Sequence, residues 1–592
     1  MQHKILKFFM AAAVLGALGL GANANSAKAS SSQQITVTTT KAIRSKAEHV
    51  ATGGLYGLEN QTTPSAKILA PLHPKTFTQP PVNAGQLPNG LPVPGGDFDK
   101  VAPTAEKIGA KIIIRLPDLS PTFPYGFTTM DNWLAQVKTM VTEAKKQEGA
   151  IYGYELWNEP NWTYEGQKGR TEQDYFQLWD ATYKEVRQLD PNAKIVGPSE
   201  SGWNEQWMDA FFAHVTAAHT MPDVICWHLL GGGPDWVPSG FNENVKEMHE
   251  IEAKYGIPQD TKIVINEYTA QQETAVPGDC IRYIQAFENV PQVDGADLAF
   301  WYNYGRMDNL LTDKQQPNGG YQLYKWYGSM TGQMDKTSTP NSDNQLASVA
   351  NTTYNKAKTT VVFGGGNGNV NLKVTGLSSA KFGKNASVQV NTAPWYGVDT
   401  PVNQSKVESG TVPVKKGTVN VLVKNMQPSS GYQLIVTPSK SKAKKAKITY
   451  AKKSVKAPIR VEAENGKLSS SALEVKQGSY ASANMFVRGF KDSSEFDTLT
   501  FKAAKAGKYQ LQFGYGNGAS ATQAQLTLNK KKLANLNLPN TTGLIDAIPN
   551  VHGTRKIVQF GKVTLKKGTN TLKVAGTNGP FDFDYVQFTP VK

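Results

Sequence analysis

The segment YGYELWNEPNW at 152–162 is an apolar run that stops abruptly at a carboxylate, Glu159. Such a run reads as a buried parallel strand that delivers one polar group to its C-terminal end. KIVINEYTA at 262–270 repeats the pattern and ends on Glu267. The two glutamates lie 108 residues apart, room for about three strand–helix units at ~30 residues each.

Outward from these two segments, short apolar runs alternate with amphipathic stretches. Eight runs are candidate strands: GGLYGL (53–58), KILAPL (67–72), KIIIRL (111–116), IYGYELWN (151–158), KIVGPS (194–199), VICWHL (224–229), KIVINE (262–267) and LAFWYN (298–303). Helical patterns such as 131–147 and 172–189 lie between the later runs. Eight β-then-α units predict an α/β fold, a (β/α)8 barrel over residues 51–335. A Pro- and Gly-rich loop at 73–97 follows the second run and is long enough to be functional.

The flanks read differently. Residues 1–29 have a basic start, an apolar run from Phe8 to Leu20 and small-residue cleavage sites, the pattern of an export signal. That run is shorter than the ~20 residues a membrane span needs, so export, with retention at the cell wall as one outcome, is expected rather than integral membrane association. Residues 30–50 form a polar lead-in whose QQITVTTT can supply one strand to a sandwich. Helical patterns vanish over 336–438, where alternating runs predict an antiparallel β-sandwich. A Lys-rich stretch at 439–458 reads as an extended linker. Residues 459–592 carry hairpin-like runs with Gly/Asn turns and predict a second, jelly-roll β-sandwich.

The net charge is +15, and it is lopsided. From Ser441 to Lys592 there are 25 Lys and Arg against 9 Asp and Glu. A basic tail on an exported protein suits a cell-wall polyanion better than nucleic acid; a merely solubilising surface is the competing reading. Two cysteines, Cys226 and Cys280, exclude a disulfide framework and lack the spacing of a zinc site. Of the 11 Trp, all but Trp395 fall between Trp133 and Trp326, in the barrel segment, where indole rings suit sugar faces.

Polar residues at the C-terminal ends of barrel strands build the active site. Glu159 and Glu267 end the fourth and seventh runs. Two carboxylates there supply what glycosidic cleavage needs, a proton donor and a nucleophile. A nucleophile must stay ionised, and Tyr268, His228 and Arg115 are candidate donors to it. Asn158 is placed to hydrogen-bond a sugar hydroxyl. Trp301 stands near the end of the eighth run. Glu155 shares strand parity with Glu159 but lies deeper, so it needs a partner, and Arg115 is the expected one. The competing reading makes both catalytic candidates structural carboxylates paired with Arg or Lys.

ELWNEPNW followed by INEY resembles the retaining glycoside hydrolases of clan A, and most closely family 39. The resemblance implies a (β/α)8 barrel with Glu159 as acid/base, Glu267 as nucleophile, Asn158, His228 and Trp301 around the sugar, and no cofactor for catalysis; Tyr268 and Arg115 join the site as the candidate donors already named. It implies a polysaccharide or oligosaccharide substrate. A transglycosidase using the same residues, or a non-catalytic surface adhesin, are the other readings it leaves open. VEAENG, AGKYQLQFGYGNG and FDFDYVQF resemble carbohydrate-binding modules of families 6 and 35. That resemblance implies a structural calcium held by Glu462, Glu464 and Asp584, with Asp582 beside them, and Tyr515 and Asn578 as sugar contacts.

Overall fold

The computed structural model of the 592-residue chain describes residues 33–591 except 88–93, 234, 300–303, 340–344, 404, 441–457, 519–521, 542 and 546–554. Residues 1–29, where an export signal is expected, and most of the Lys-rich stretch therefore lie outside the described residues.

The first strand, β1 (Gln33–Arg44), belongs to a sheet formed much later in the chain. Eight parallel strands then close a barrel in chain order: β2 (Gly53–Leu55), β3 (Thr76–Gln79), β4 (Lys111–Arg115), β5 (Ile151–Glu155), β6 (Lys194–Glu200), β7 (Val224–Trp227), β8 (Lys262–Tyr268) and β9 (Val293–Leu298). Branched residues dominate their buried faces: Ile112, Ile114, Ile195, Ile225, Ile263 and Ile265 all lie in one apolar cluster with the surrounding helices. Gly153 lets β5 approach β6 closely, since a Cβ there would fall 2.4 Å from the Lys194 carbonyl oxygen.

Two expected strands are corrected. KILAPL is helical, Ala66–Leu69 running into a 3-10 turn, Ala70–Leu72. The second barrel strand is instead TFTQ, inside the stretch read as a loop. Its polar character has a cause: Thr76 and Thr78 donate to Asp297 at 2.6 and 2.8 Å across the barrel. The eighth strand is VDGADL, just ahead of LAFWYN, whose residues 300–303 lie outside the described set.

Nine strands after and before the barrel form one sheet rather than two. They are β1 with Gln333–Ser338, Ala347–Thr352, Thr359–Gly364, Gly368–Thr375, Asn385–Ala393, Ser405–Pro413, Val419–Met426 and Gly431–Pro438. Val388 and Val412 at one end of the sheet share a core with Val421 and Val423 at the other, so the sheet folds over itself as a sandwich. β1 pairs parallel with Gly368–Thr375 and antiparallel with Gln333–Ser338.

The C-terminal region has a six-stranded and a five-stranded antiparallel sheet around Leu499, Leu511, Phe513, Val574 and Phe583. It is packed onto the rest. Tyr480, Ala481, Phe486 and Ile545 join the apolar cluster of the barrel together with Trp395. Asn484 Nδ2 donates to Asp279 at 2.9 Å, Ser479 Oγ to the Gln271 carbonyl at 3.1 Å, and the Ala483 amide to the Trp395 carbonyl at 3.0 Å.

Candidate active site

β5 ends at Glu155, and the chain turns sharply four residues later. Glu159 takes a left-handed conformation (φ 51°, ψ 51°), and Pro160 opens the short helix Pro160–Thr163. A left-handed non-glycine residue costs about 1–3 kcal/mol and persists only where its surroundings hold it. Here the Glu159 amide donates to the Ser199 carbonyl at 2.9 Å, and its own carbonyl accepts from the Trp162 and Thr163 amides at 3.1 and 2.9 Å. The turn swings the carboxylate toward the strand-end face of the barrel.

Both oxygens of that carboxylate are engaged. Oε1 lies 2.9 Å from His228 Nδ1, and Oε2 accepts from Trp162 Nε1 at 2.8 Å. Glu267, next to the end of β8, accepts from an Arg115 Nη at 2.6 Å and lies 3.7 Å from His228 Nδ1. Arg115 also donates from Nε to Glu155 at 2.7 Å, so one guanidinium ties the deep carboxylate to the one at the mouth. One oxygen each of Glu159 and Glu267 and one His228 nitrogen all lie within 4.8 Å of one another. Burial would push the His228 imidazole down, but the Glu267 and Glu159 carboxylates outweigh it and hold its pKa above the ordinary value. The His228 ring thus sits between the two acids.

Residues 132–316 match the family model of Glycosyl hydrolases family 39. The solved structure of N2152 from Neocallimastix frontalis is similar, with 31% identity, a TM-score of 0.63, and coverage of 69% of this chain and 100% of that one. This chain belongs with the glycoside hydrolases of family 39, in clan A. Two curated relatives are also similar. A 3-O-alpha-D-galactosyl-alpha-L-arabinofuranosidase of Bifidobacterium longum subsp. longum is 28% identical over 66% of this chain and 35% of its own length. A 3-O-beta-L-arabinopyranosyl-alpha-L-arabinofuranosidase of Bifidobacterium pseudocatenulatum is 25% identical over 66% of this chain and 46% of its own. The family 39 chain described here thus spans less than half of either curated relative.

Around the two carboxylates of this family 39 barrel lies a polar wall that the motifs did not reveal. Asn158 Nδ2 donates to the Tyr125 hydroxyl at 3.0 Å, Tyr125 donates to Asp118 at 3.0 Å, and Tyr56 donates to the other oxygen of Asp118 at 2.7 Å. Gln86, from the long loop, stands 3.1 Å from the Tyr56 hydroxyl. Burial pushes Asp118 up to about 7, against the pull of Arg115 and the two tyrosines. Asp118 and Tyr125 sit in a Pro-rich loop without periodicity, so no pattern announced them. Three buried atoms at the site have no protein partner among the described residues: Asn158 Oδ1, His228 Nε2 and one Arg115 Nη.

One expected contact is placed differently, and one lies outside the described residues. Tyr268 does not face Glu267; its side chain points into the helix layer, where the hydroxyl donates to the Ala51 carbonyl at 2.7 Å and meets Tyr324 at 2.8 Å. Strand alternation explains this, because neighbours 267 and 268 must point to opposite faces. Trp301 lies outside the described residues. Cys226 and Cys280 are both buried free thiols, and Cys226 donates to Asn266.

The expected calcium set is not assembled: Glu462, Glu464 and Asp584 do not bring ligand oxygens within 4.8 Å of one another, although Glu462 Oε2 and Glu464 Oε2 are buried without a protein partner among the described residues. Asp584 already accepts from the Ser482 amide at 2.8 Å and from Arg555 at 2.9 Å, and Asp582 is paired with Arg488 at 2.8 Å. Glu462 Oε1 accepts from Ser482 Oγ at 3.1 Å. A guanidinium supplies the positive charge expected of the metal. Tyr515 is buried with its hydroxyl on the Pro539 carbonyl at 2.9 Å, so it offers no face to a sugar; Asn578 is exposed.

Proposed function

We propose that this family 39 enzyme is an exported, retaining glycosidase in which Glu159 is the acid/base and Glu267 the nucleophile. The observation that supports this is the close approach of the two acids: one oxygen of each lies within 4.8 Å of the other, and both carboxylates meet His228 Nδ1, at 2.9 and 3.7 Å. Retaining pairs stand about 5–5.5 Å apart, while inverting pairs need about 6.5–9.5 Å to admit a water. In the first step a Glu267 oxygen bonds to the anomeric carbon while Glu159 passes its proton to the departing glycosidic oxygen. In the second, Glu159 takes a proton from water, the hydroxyl bonds to the anomeric carbon, and the ester to Glu267 breaks. Arg115 donates a charge-assisted hydrogen bond to Glu267 and orients it for attack. Asn158 Oδ1, His228 Nε2 and one Arg115 Nη are buried without a protein partner among the described residues, which marks this wall as the place where a bound sugar would supply the missing hydrogen bonds.

The names of the two curated relatives support α-L-arabinofuranosides substituted at O3 as the first substrates to try, within plant or bacterial polysaccharides. The basic tail and the signal-like start support release to the cell exterior and retention at an acidic wall polymer. The test is a panel of aryl glycosides, including O3-substituted arabinofuranosides, followed by NMR of the first-formed anomer and trapping with the matching 2-fluoro sugar. Retention and a mass increment on the peptide holding Glu267 are expected. An inverted product, or a label on another residue, would overturn the assignment.

A further inference from the structure

We infer that Trp162 and Phe123 form a binding subsite for a sugar leaving group, and that Trp162 holds the proton donor in register with it. The inference rests on the reading of Glu159 as acid. Trp162 lies on the helix that Glu159 opens, and its indole N–H donates to Glu159 Oε2 at 2.8 Å. Yet the residue is 41% exposed, while Trp157, Trp179 and Trp227 of the same barrel are fully buried. Phe123 beside it is 50% exposed. The two ring centroids are 5.3 Å apart with planes at 86°, two walls of a corner open to solvent. Phe123 in turn stands edge-on to Tyr125 at 5.2 Å, and the Tyr125 hydroxyl accepts from Asn158. The corner is therefore continuous with the polar wall of the site.

Sidedness follows from the chemistry. The acid must reach the glycosidic oxygen, and that oxygen leaves with the departing group. Aromatic faces fixed next to the acid therefore lie under the departing group and not under the sugar that reacts with Glu267. Two large exposed rings offer apolar area to the C–H face of a sugar and little to a small alcohol. The indole adds a constraint of its own. It can donate but never accept, so it cannot take the catalytic proton. By holding Oε2 it fixes the rotation of the carboxyl group. Trp162 is thus a positioning residue and Phe123 a specificity residue, and the leaving group is itself a sugar residue of a longer chain.

Leaving-group dependence separates this from a structural role, because a dinitrophenolate departs without protonation while a sugar alcohol does not. In Trp162→Phe the ring remains and the N–H is lost. We expect kcat/KM for a glycoside with a sugar leaving group to fall about 10- to 100-fold, a part of the roughly 10²–10⁴-fold that a positioned acid contributes, because the acid itself remains. The loss on the dinitrophenyl glycoside of the same sugar should be at least several-fold smaller. Phe123→Ala should raise KM for the sugar-leaving substrate more than for the dinitrophenyl glycoside. Equal losses on both substrates in Trp162→Phe, or none on either, would overturn the inference. Glu159→Ala runs alongside. If azide restores its turnover of the dinitrophenyl glycoside while Trp162→Phe shows no discrimination, only the subsite fails; if Glu159→Ala loses both substrates alike without rescue, the acid assignment fails first.

Discussion

At the residue scale, Arg115 carries the most constraints. It is buried, and it is bonded to Glu155 below and Glu267 above. Removing one partner of a buried charge network costs about 3–5 kcal/mol, because the remaining charges stay buried and unpaired. Arg115→Met is therefore expected to lose about that much stability by chemical denaturation and to lose turnover as well. A variant as stable as the parent would show that Glu155 and Glu267 find other partners. The pairing of Arg115 with Glu155 was readable from strand parity alone. Arg115 was also a candidate donor to Glu267, and the structure joins the two roles in one guanidinium, Nε on Glu155 and an Nη on Glu267. Trp162 was quoted within its motif yet passed over, since an indole beside a catalytic motif usually belongs to the core.

At the scale of elements, the strands that were legible are β2, β4, β5, β6, β7 and β8, whose burial leaves an apolar run in the sequence. β3 and β9 escaped because they meet through Asp297 and its two threonines inside the barrel, so the pattern there is polar. KILAPL was apolar for a different reason, one buried helical face. In the C-terminal module the competitor was distant in sequence: Arg555 reaches Asp584 and leaves Glu464 without a cation. Burial, with Glu462 adding repulsion, pushes Glu464 from 4.5 up to about 9. The native state then holds a proton that the unfolded chain releases above its own value, so stability falls as pH rises through that window. Glu464→Gln, neutral at every pH, should melt higher than the parent at pH 8, with the gap closing toward pH 4.5. Calcium should leave the gap unchanged. A variant that melts lower at pH 8, or a gap that calcium abolishes, would restore a metal-holding role.

At the scale of the whole molecule, the barrel, the folded-over sheet and the C-terminal module share buried surface. Arg555 joins three of these contacts, donating to the Tyr396 carbonyl at 2.8 Å, to Thr400 Oγ1 at 2.6 Å and to Asp584 at 2.9 Å. Calorimetry of the intact chain is expected to show the described regions melting together. Arg555→Ala, which leaves Asp584 buried and uncompensated, should cost about 3–5 kcal/mol and split off an earlier transition for the C-terminal module. Two separate transitions in the parent would mean the docking surface is weak.

That shared surface bears on how the protein survives a protease. The stretch 441–457 holds seven lysines, each a residue after which trypsin cuts. A single cut there would sever the backbone but leave Tyr480, Phe486 and Ile545 seated against the barrel. The two fragments should then co-elute under native conditions and separate only in denaturant, so a preparation that looks broken on a gel would remain one working particle.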